Sequence, residues 1–277
     1  MFGFQKEVLF ANACKSYDKS EVYEMTNQIL GCYSARKEKL LRDFERNYGL
    51  MKASLIARYS KEFTSTLQVE VHLEYEKLIP EIPYIRGSRA RMLNSFLLIT
   101  SQELAAYKAM KKHGKPPEEV WEVCHEALRY RLAQVPQWKR WSFRHFMFSG
   151  FVRKIIARRA RRQQKQLFGD FEIEYVIGDG DQFDFGVNYL QCGNLTFAKK
   201  HGGREFAPYI CMSDIALSEA MGWGLIRTQT LADGCPICDF RFKKGTATQI
   251  SSKTPEVQEA IEKISRKEAK KNIRPNG

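Results

Sequence analysis

The sequence predicts an α+β fold: a helical N-terminal half followed by a four-stranded antiparallel sheet with two packed helices. Three observations carry this expectation. From about residue 19 to 133, apolar residues recur three and four apart, the period of helices that bury one stripe. After Gly169 the period changes to two, in FEIEYVI and FDFGVNY on either side of a Gly178–Asp181 turn. Two short helical patterns and two more strand-like runs, GLIRTQTLA and CDFRFKK, complete the unit. The order strand, strand, helix, helix, strand, strand suits a sheet with helices against one face.

In the helical half, SEVYEMTNQILGCYSARKEKLLRDFERNYG predicts a helix capped by Ser20 and ended by Gly49. A second helix is expected near Leu67–Ile79, closed by Pro80 and Pro83, and a third over about Ser88–Lys112, ended by Gly114. Pro116–Pro117–Glu118–Glu119 places prolines and acids in the first turn of a fourth, which continues to about Ala133. Cys124 and His125 lie on it; adjacent helical residues point about 100° apart, which suits core packing better than shared ligation. Cys14 and Cys32 are also expected in the core. The expected organisation is a helical region (1–136), a basic amphipathic helix or linker (137–168), a cysteine-containing α+β domain (169–250) and a charged tail (251–277). In the tail, Thr254–Pro255–Glu256 starts a terminal helix that frays at RPNG.

The sheet unit has a dry and a wet side. Phe171, Ile173, Tyr175 and Ile177 alternate with Glu172 and Glu174, and Phe183, Phe185, Val187 and Tyr189 alternate with Asp184 and Asn188. A short helix is expected at about Asn194–His201 and a second from Pro208 to about Met221.

Net charge is +13, and ten Lys or Arg with no Asp or Glu fall between Lys139 and Gln166. The basic character therefore belongs to one segment. Phe143, Met147, Phe148, Phe151, Val152, Ile155 and Ile156 share one broad helical face, with cations opposite. The first reading is a helix docked by that face, its basic side solvated. The second is binding to an anionic membrane surface through residues 139–166. Nucleic acid is the weakest reading, because the aromatics precede the arginines rather than interleaving with them. The N-terminus lacks a charged lead and a long apolar core, and no apolar run reaches the ~18 residues of a membrane span, so a cytoplasmic location with reduced thiols is expected.

Seven cysteines, an odd number, suit free thiols or a metal site better than a full disulfide set. Four lie between Tyr189 and Phe242: Cys192, Cys211, Cys235 and Cys238. Cys211 is the best-placed nucleophile, expected in the first turn of the Pro208 helix, where the dipole favours thiolate. Asp214 shares its face, with Ser218 a turn further. Cys192 ends a strand just ahead of a helix start. His201 is the one nearby imidazole, though a lone histidine beside Gly-Gly is more often plain surface. Cys235–Pro–Ile–Cys238 has zinc-knuckle spacing, but Cys192 and Cys211 are far apart in sequence, and Cys238 alternates with Phe240 and Phe242 as a core residue would. Structural zinc, catalytic zinc and no metal all remain open.

The stretches GDFEIEYVIGDGDQFDFGVNYLQC, APYICMSDIALSEAMG and RTQTLADG…CDFRF resemble the L-2-amino-thiazoline-4-carboxylic acid hydrolase family. The resemblance implies functional positions at Cys192, Cys211, Asp214 and Cys238, with Asp239 and Arg241 beside the last; Cys235 looks like a local addition. It implies hydrolytic opening of a cyclic amidine to an N-carbamoyl amino acid. A thiolate or activated water would attack C2, Asp214 would hold the protonated amidine, and Arg241 or Arg227 would meet the substrate carboxylate. Tyr189 joins Arg241 as a candidate substrate-binding residue. The alternative is a non-catalytic small-molecule or zinc-binding module associated with a membrane or partner through the basic helix.

Overall fold

The computed structural model describes residues 28–87, 90–163 and 165–273. Ser20, Cys14 and the RPNG terminus lie outside them. Helix α1 (Lys37–Arg58) buries Leu40, Phe44, Tyr48, Met51 and Leu55 on one stripe. It starts at Lys37, residues 28–36 being strand and turns instead of the expected helix, and it runs through Gly49 rather than ending there. Burial of Met51 and Leu55 beyond the glycine outweighs the ~1 kcal/mol an interior glycine costs. Helix α2 (Lys61–Leu78) starts where the Ser60 hydroxyl accepts the Phe63 N–H at 3.1 Å. Helices α3 (Arg91–Lys112) and α4 (Pro117–Ala133) follow the expected bounds closely. Tyr75, Leu97, Leu104 and Trp121 from these helices are fully buried at their junction. A two-stranded ribbon, β1 (Gln28–Ile29) with β2 (Tyr84–Ile85), was not anticipated, because two residues carry no period.

The basic segment is two helices rather than one, α5 (Gln137–Met147) and α6 (Gly150–Arg161). The break is at Ser149, whose hydroxyl accepts the Val152 N–H at 3.3 Å and caps α6. Phe148 and Ile156 are buried, with Phe143, Met147 and Val152 packed beside them, against Phe185, Trp223 and Phe242. Phe151 departs from the expected docked face and is 66% exposed.

The main sheet has six strands where four were expected: β3 (Gln166–Phe168), β4 (Phe171–Ile177), β5 (Phe185–Gln191), β6 (Leu225–Arg227), β7 (Cys238–Phe242) and β8 (Gln249–Ile250). Their order is β3-β4-β5-β7-β6-β8, antiparallel except for the β6–β8 pair. The four expected strands are the inner ones; β3 and β8 are edges too short to show alternation. Register sets Tyr175 opposite Val187, Phe185 opposite Phe242, Val187 opposite Phe240 and Tyr189 opposite Cys238. These residues share the face on which the helices pack.

Helix α7 (Gly193–Lys200) follows β5 directly. The expected helix from Pro208 to Met221 is split into α8 (Ala207–Ile210) and α9 (Ser213–Met221). The Cys211 carbonyl takes a 2.9 Å hydrogen bond from Arg227 Nη1, and Ile215 N–H turns to Met212 O instead. The tail is more than a charged extension: α10 (Pro255–Ile273) buries Val257, Ala260, Ile261 and Ile264. One core cluster runs from α1–α4 through Phe171, Phe197, Phe206 and Met212 to α10. Cys124 is buried in that core. Cys32 is buried too, but it is disulfide-bonded, which departs from the expectation of reduced thiols throughout.

Candidate active site

Three pieces of chain converge at the end of the β5–β7 pair. β5 brings Tyr189 and passes through Cys192 into α7, so Cys192 is the residue before the helix's first turn. β7 brings Cys238 opposite Tyr189. The α8–α9 break presents Cys211, and Asp214 sits in the first turn of α9. The charges of these groups act on one another: Cys192 on Cys238, Cys211 on Cys192, Cys238 on Cys211, and Asp214 on all three. Tyr189 feels Cys192, Cys238 and Asp214. The fold thus gathers Tyr189, Cys192, Cys211, Asp214 and Cys238 from a span of fifty residues. Cys192, Cys211 and Asp214 keep partial solvent access, whereas Cys238 is buried.

Arg227, at the end of β6, is the cation of this group. It is 1% exposed, and its guanidinium donates to the Asp214 carboxylate and, at 2.9 Å, to the Cys211 carbonyl. It also lies over the Phe240 ring, 5.4 Å from its centroid. A guanidinium so engaged positions Asp214 and the Cys211 backbone; it is not a free receptor for a substrate carboxylate.

Burial dominates the protonation of the cluster. Loss of solvation raises the Cys192 and Cys238 thiols to about 12 and Cys211 higher still. For Cys211, Arg227 opposes that rise while Cys238 and Asp214 add to it. The expectation that a helix dipole makes Cys211 a thiolate is therefore corrected. Cys211 ends the one-turn α8 instead of opening a long helix, and desolvation outweighs the Arg227 charge. Burial also raises Asp214, against the pull of Arg227.

Glu103 was not singled out from the sequence. It sits on α3, 6% exposed, and accepts a 2.6 Å hydrogen bond from the hydroxyl of Ser213, the neighbour of Asp214. Its other oxygen is buried with no hydrogen-bond partner among the described residues. Desolvation first, with the Asp214 charge adding, raises its pKa to about 8 against the pull of Ser213 and Arg131. The signal was in ITSQELAAY, an acid in the apolar stripe of a long helix beside Leu104.

The remaining expected residues lie elsewhere. Strand alternation puts Arg241 and Asp239 on the sheet face opposite Cys238, which corrects the placement of Arg241 beside the cysteines. Arg241 donates to Asn188 Oδ1 and the Phe240 carbonyl, both at 2.9 Å. Asp239 accepts from the Thr228 and Gln229 backbone and the Thr228 hydroxyl, holding the loop after β6. Ser218 bonds Thr248 and the Leu225 N–H, a structural role. His201 ends α7 against Phe197, and the charges acting on it are Lys200, Glu81 and Lys108 rather than the cysteines. Cys235 is buried in the loop before β7. Cys238 Sγ accepts the Leu231 N–H at 3.2 Å. Among the described residues, no group of three or more His, Cys, Asp or Glu is arranged to hold a metal ion, so the CxxC gains no ligand partners.

This is an α+β scaffold that gathers three thiols, a carboxylate and a buried guanidinium within reach of one another's charge. A family model for L-2-amino-thiazoline-4-carboxylic acid hydrolase matches residues 95–242, more than half of the chain and every residue of the cluster. The chain belongs to that family. No curated protein and no solved structure matches it.

Proposed function

We propose that this protein hydrolyses a small cyclic amidine of the 2-aminothiazoline-4-carboxylate type to an N-carbamoyl amino acid, using cysteine chemistry at Cys211. The observation that carries the reading is the convergence of Cys211, Cys238 and Asp214 on the buried Arg227, with Cys192 within reach of the Cys211 charge, inside the region matched to the family.

The cluster without substrate holds its thiols protonated. A protonated amidine entering it brings the positive charge that favours a thiolate and a carboxylate. Asp214, fixed by Arg227, faces the amidinium nitrogens. Cys211 Sγ gives up its proton and bonds to C2 of the ring, forming a tetrahedral adduct. The bond from C2 to the ring sulfur then breaks, and that sulfur takes the proton and leaves as a thiol. Water adds to the resulting carbamimidoyl thioether, the bond from C2 to Cys211 breaks, and the urea carbonyl forms as Cys211 regains its proton. One water is consumed and no ammonia is released. Cys192 and Cys238 relay the proton released by Cys211 to the departing sulfur, so each ends the step as a thiol. A cytoplasmic setting belongs to this reading, because the reaction needs free thiols. Cys192, Cys211 and Cys238 are free, while Cys32 is not.

Cys211→Ser is expected to lower ring opening of 2-aminothiazoline-4-carboxylate by at least ~100-fold, the scale of losing a covalent nucleophile. Quenched turnover of the native protein is expected to show the carbamimidoyl adduct on the peptide containing Cys211. Undiminished turnover by Cys211→Ser would remove Cys211 from the mechanism.

A further inference from the structure

The basic segment presents an unusual surface. On α5 the exposed positions are Gln137, Trp138, Trp141, Ser142, His145 and Phe146, while Arg140, Phe143, Arg144 and Met147 turn toward the body. Arg144 lies over Gly222, where an added Cβ would meet its Nη1 at 2.8 Å, and Arg140 Nε is buried. The helix is inverted relative to an ordinary surface helix, which hides its aromatics and shows its cations. Trp138 is 66% exposed, Trp141 53%, Phe146 60% and Phe151 66%. Phe146 and Phe151 bracket the Ser149 break, so the joint between α5 and α6 has phenyl rings on both sides. Leu167 on the edge strand β3 is also exposed.

Beside these rings, α6 exposes Lys154, Arg158 and Arg161, with Arg162 just beyond its end. These four cations make no ion pair among the described residues. Arg153 faces Asp184 at 3.8 Å, and Arg159 bonds the Tyr175 hydroxyl. No acid occurs between Lys139 and Gln166.

We infer that α5 and α6 form a docking surface for an anionic lipid bilayer, with Trp138, Trp141, Phe146 and Phe151 entering the headgroup boundary. Lys154, Arg158, Arg161 and Arg162 meet the lipid phosphates and carboxylates. Tryptophan ring and indole N–H suit the interface between hydrocarbon and water, and phenyl rings suit the acyl boundary just below it. Single-stranded nucleic acid fits less well: Lys139 occupies the Trp138 ring, 5.4 Å from its centroid, and Arg140 and Arg144 are turned inward. No helix among the described residues is long and apolar enough to cross a membrane, so the attachment is peripheral.

The test is vesicle flotation of the full chain on phosphatidylcholine alone and on phosphatidylcholine with phosphatidylserine, at low and high salt. Binding is expected to the anionic vesicles and to weaken with salt, about fivefold for each of Lys154, Arg158, Arg161 and Arg162 replaced by Gln. Replacing Trp138, Trp141, Phe146 and Phe151 together by Ser is expected to abolish binding while circular dichroism and the melting temperature stay unchanged, since all four are exposed. Brominated lipid is expected to quench native fluorescence, and Trp138→Phe with Trp141→Phe to remove that quenching, because Trp121 and Trp223 are core residues. No binding to anionic vesicles at low salt would overturn the inference. So would binding that survives the four-Ser variant, tighter binding to a single-stranded oligonucleotide, or self-association that disappears in that variant.

Discussion

At the scale of single residues, the site is governed by desolvation. A thiol or carboxyl taken out of water keeps its proton unless a cation compensates, and Arg227 is the cation that pulls against burial at Cys211 and Cys238. Glu103 is the plainest case, raised from 4.5 to about 8. Its folded pKa lies above its unfolded one, so its contribution to stability is fully present below about pH 4.5 and is lost as pH rises through about 8. Over that window it should cost the native protein up to about 1.4 kcal/mol per pH unit. Glu103→Gln keeps an acceptor for Ser213 and cannot ionise. Its stability relative to the native protein is expected to rise between pH 5 and 8, as read by urea unfolding. Parallel pH profiles for the two proteins would show that Glu103 does not titrate in this window. Arg241 shows the opposite lesson at this scale: the residue stands where the family resemblance puts it in sequence, but alternation along β7 sends its side chain to the other face.

At the scale of elements, the site depends on where helices start and stop. Gly193 opens α7 directly after Cys192, and a Cβ there would meet Phe171 Cε2 at 2.5 Å. Gly193→Ala should push α7 away from the sheet and carry Cys192 with it. The expected cost is about 1–3 kcal/mol of stability, typical of overpacking, with a fall in turnover that exceeds the loss of folded protein. Thermal unfolding and specific activity measured on the same sample separate the two effects; full activity per folded molecule would mean that the position of Cys192 is not critical. The α8–α9 break acts in the same way for Cys211. A continuous helix would have satisfied the Cys211 carbonyl internally, but Arg227 satisfies it from β6 and ties the break to the sheet.

At the scale of the whole molecule, one core joins the helical half to the sheet. Phe171, Phe206 and Met212 pack in the same cluster as Tyr75, Leu104 and Trp121, and α10 closes it with Val257 and Ile261. Glu103 reaches Ser213 across the same junction. The helical half is therefore part of the wall that dries the site. Cooperative unfolding follows. In a urea series, labelling of Cys124 in the helices and of Cys238 in the sheet should share one midpoint. Two separate midpoints would mean that the halves fold independently.

The sequence by itself determined the helix periods, the inner four strands, the dry face of the sheet and the family resemblance, because each is written in residues close together along the chain. Spacing of three and four marks a buried helical stripe, and spacing of two marks a strand face. Cys211 and Asp214, three apart, were expected on one helical face, but the chain breaks between them. Only the tertiary structure decided what depends on distant chain. It ended α1 past Gly49 because Met51 and Leu55 found core. It broke the Pro208 helix because Arg227 took a carbonyl. It turned the Trp138 face outward because Arg140, Phe143 and Arg144 docked instead. It also raised the thiols that local sequence reading expected to be lowered: a helix dipole is a property of one element, whereas desolvation is the sum of everything packed around a group.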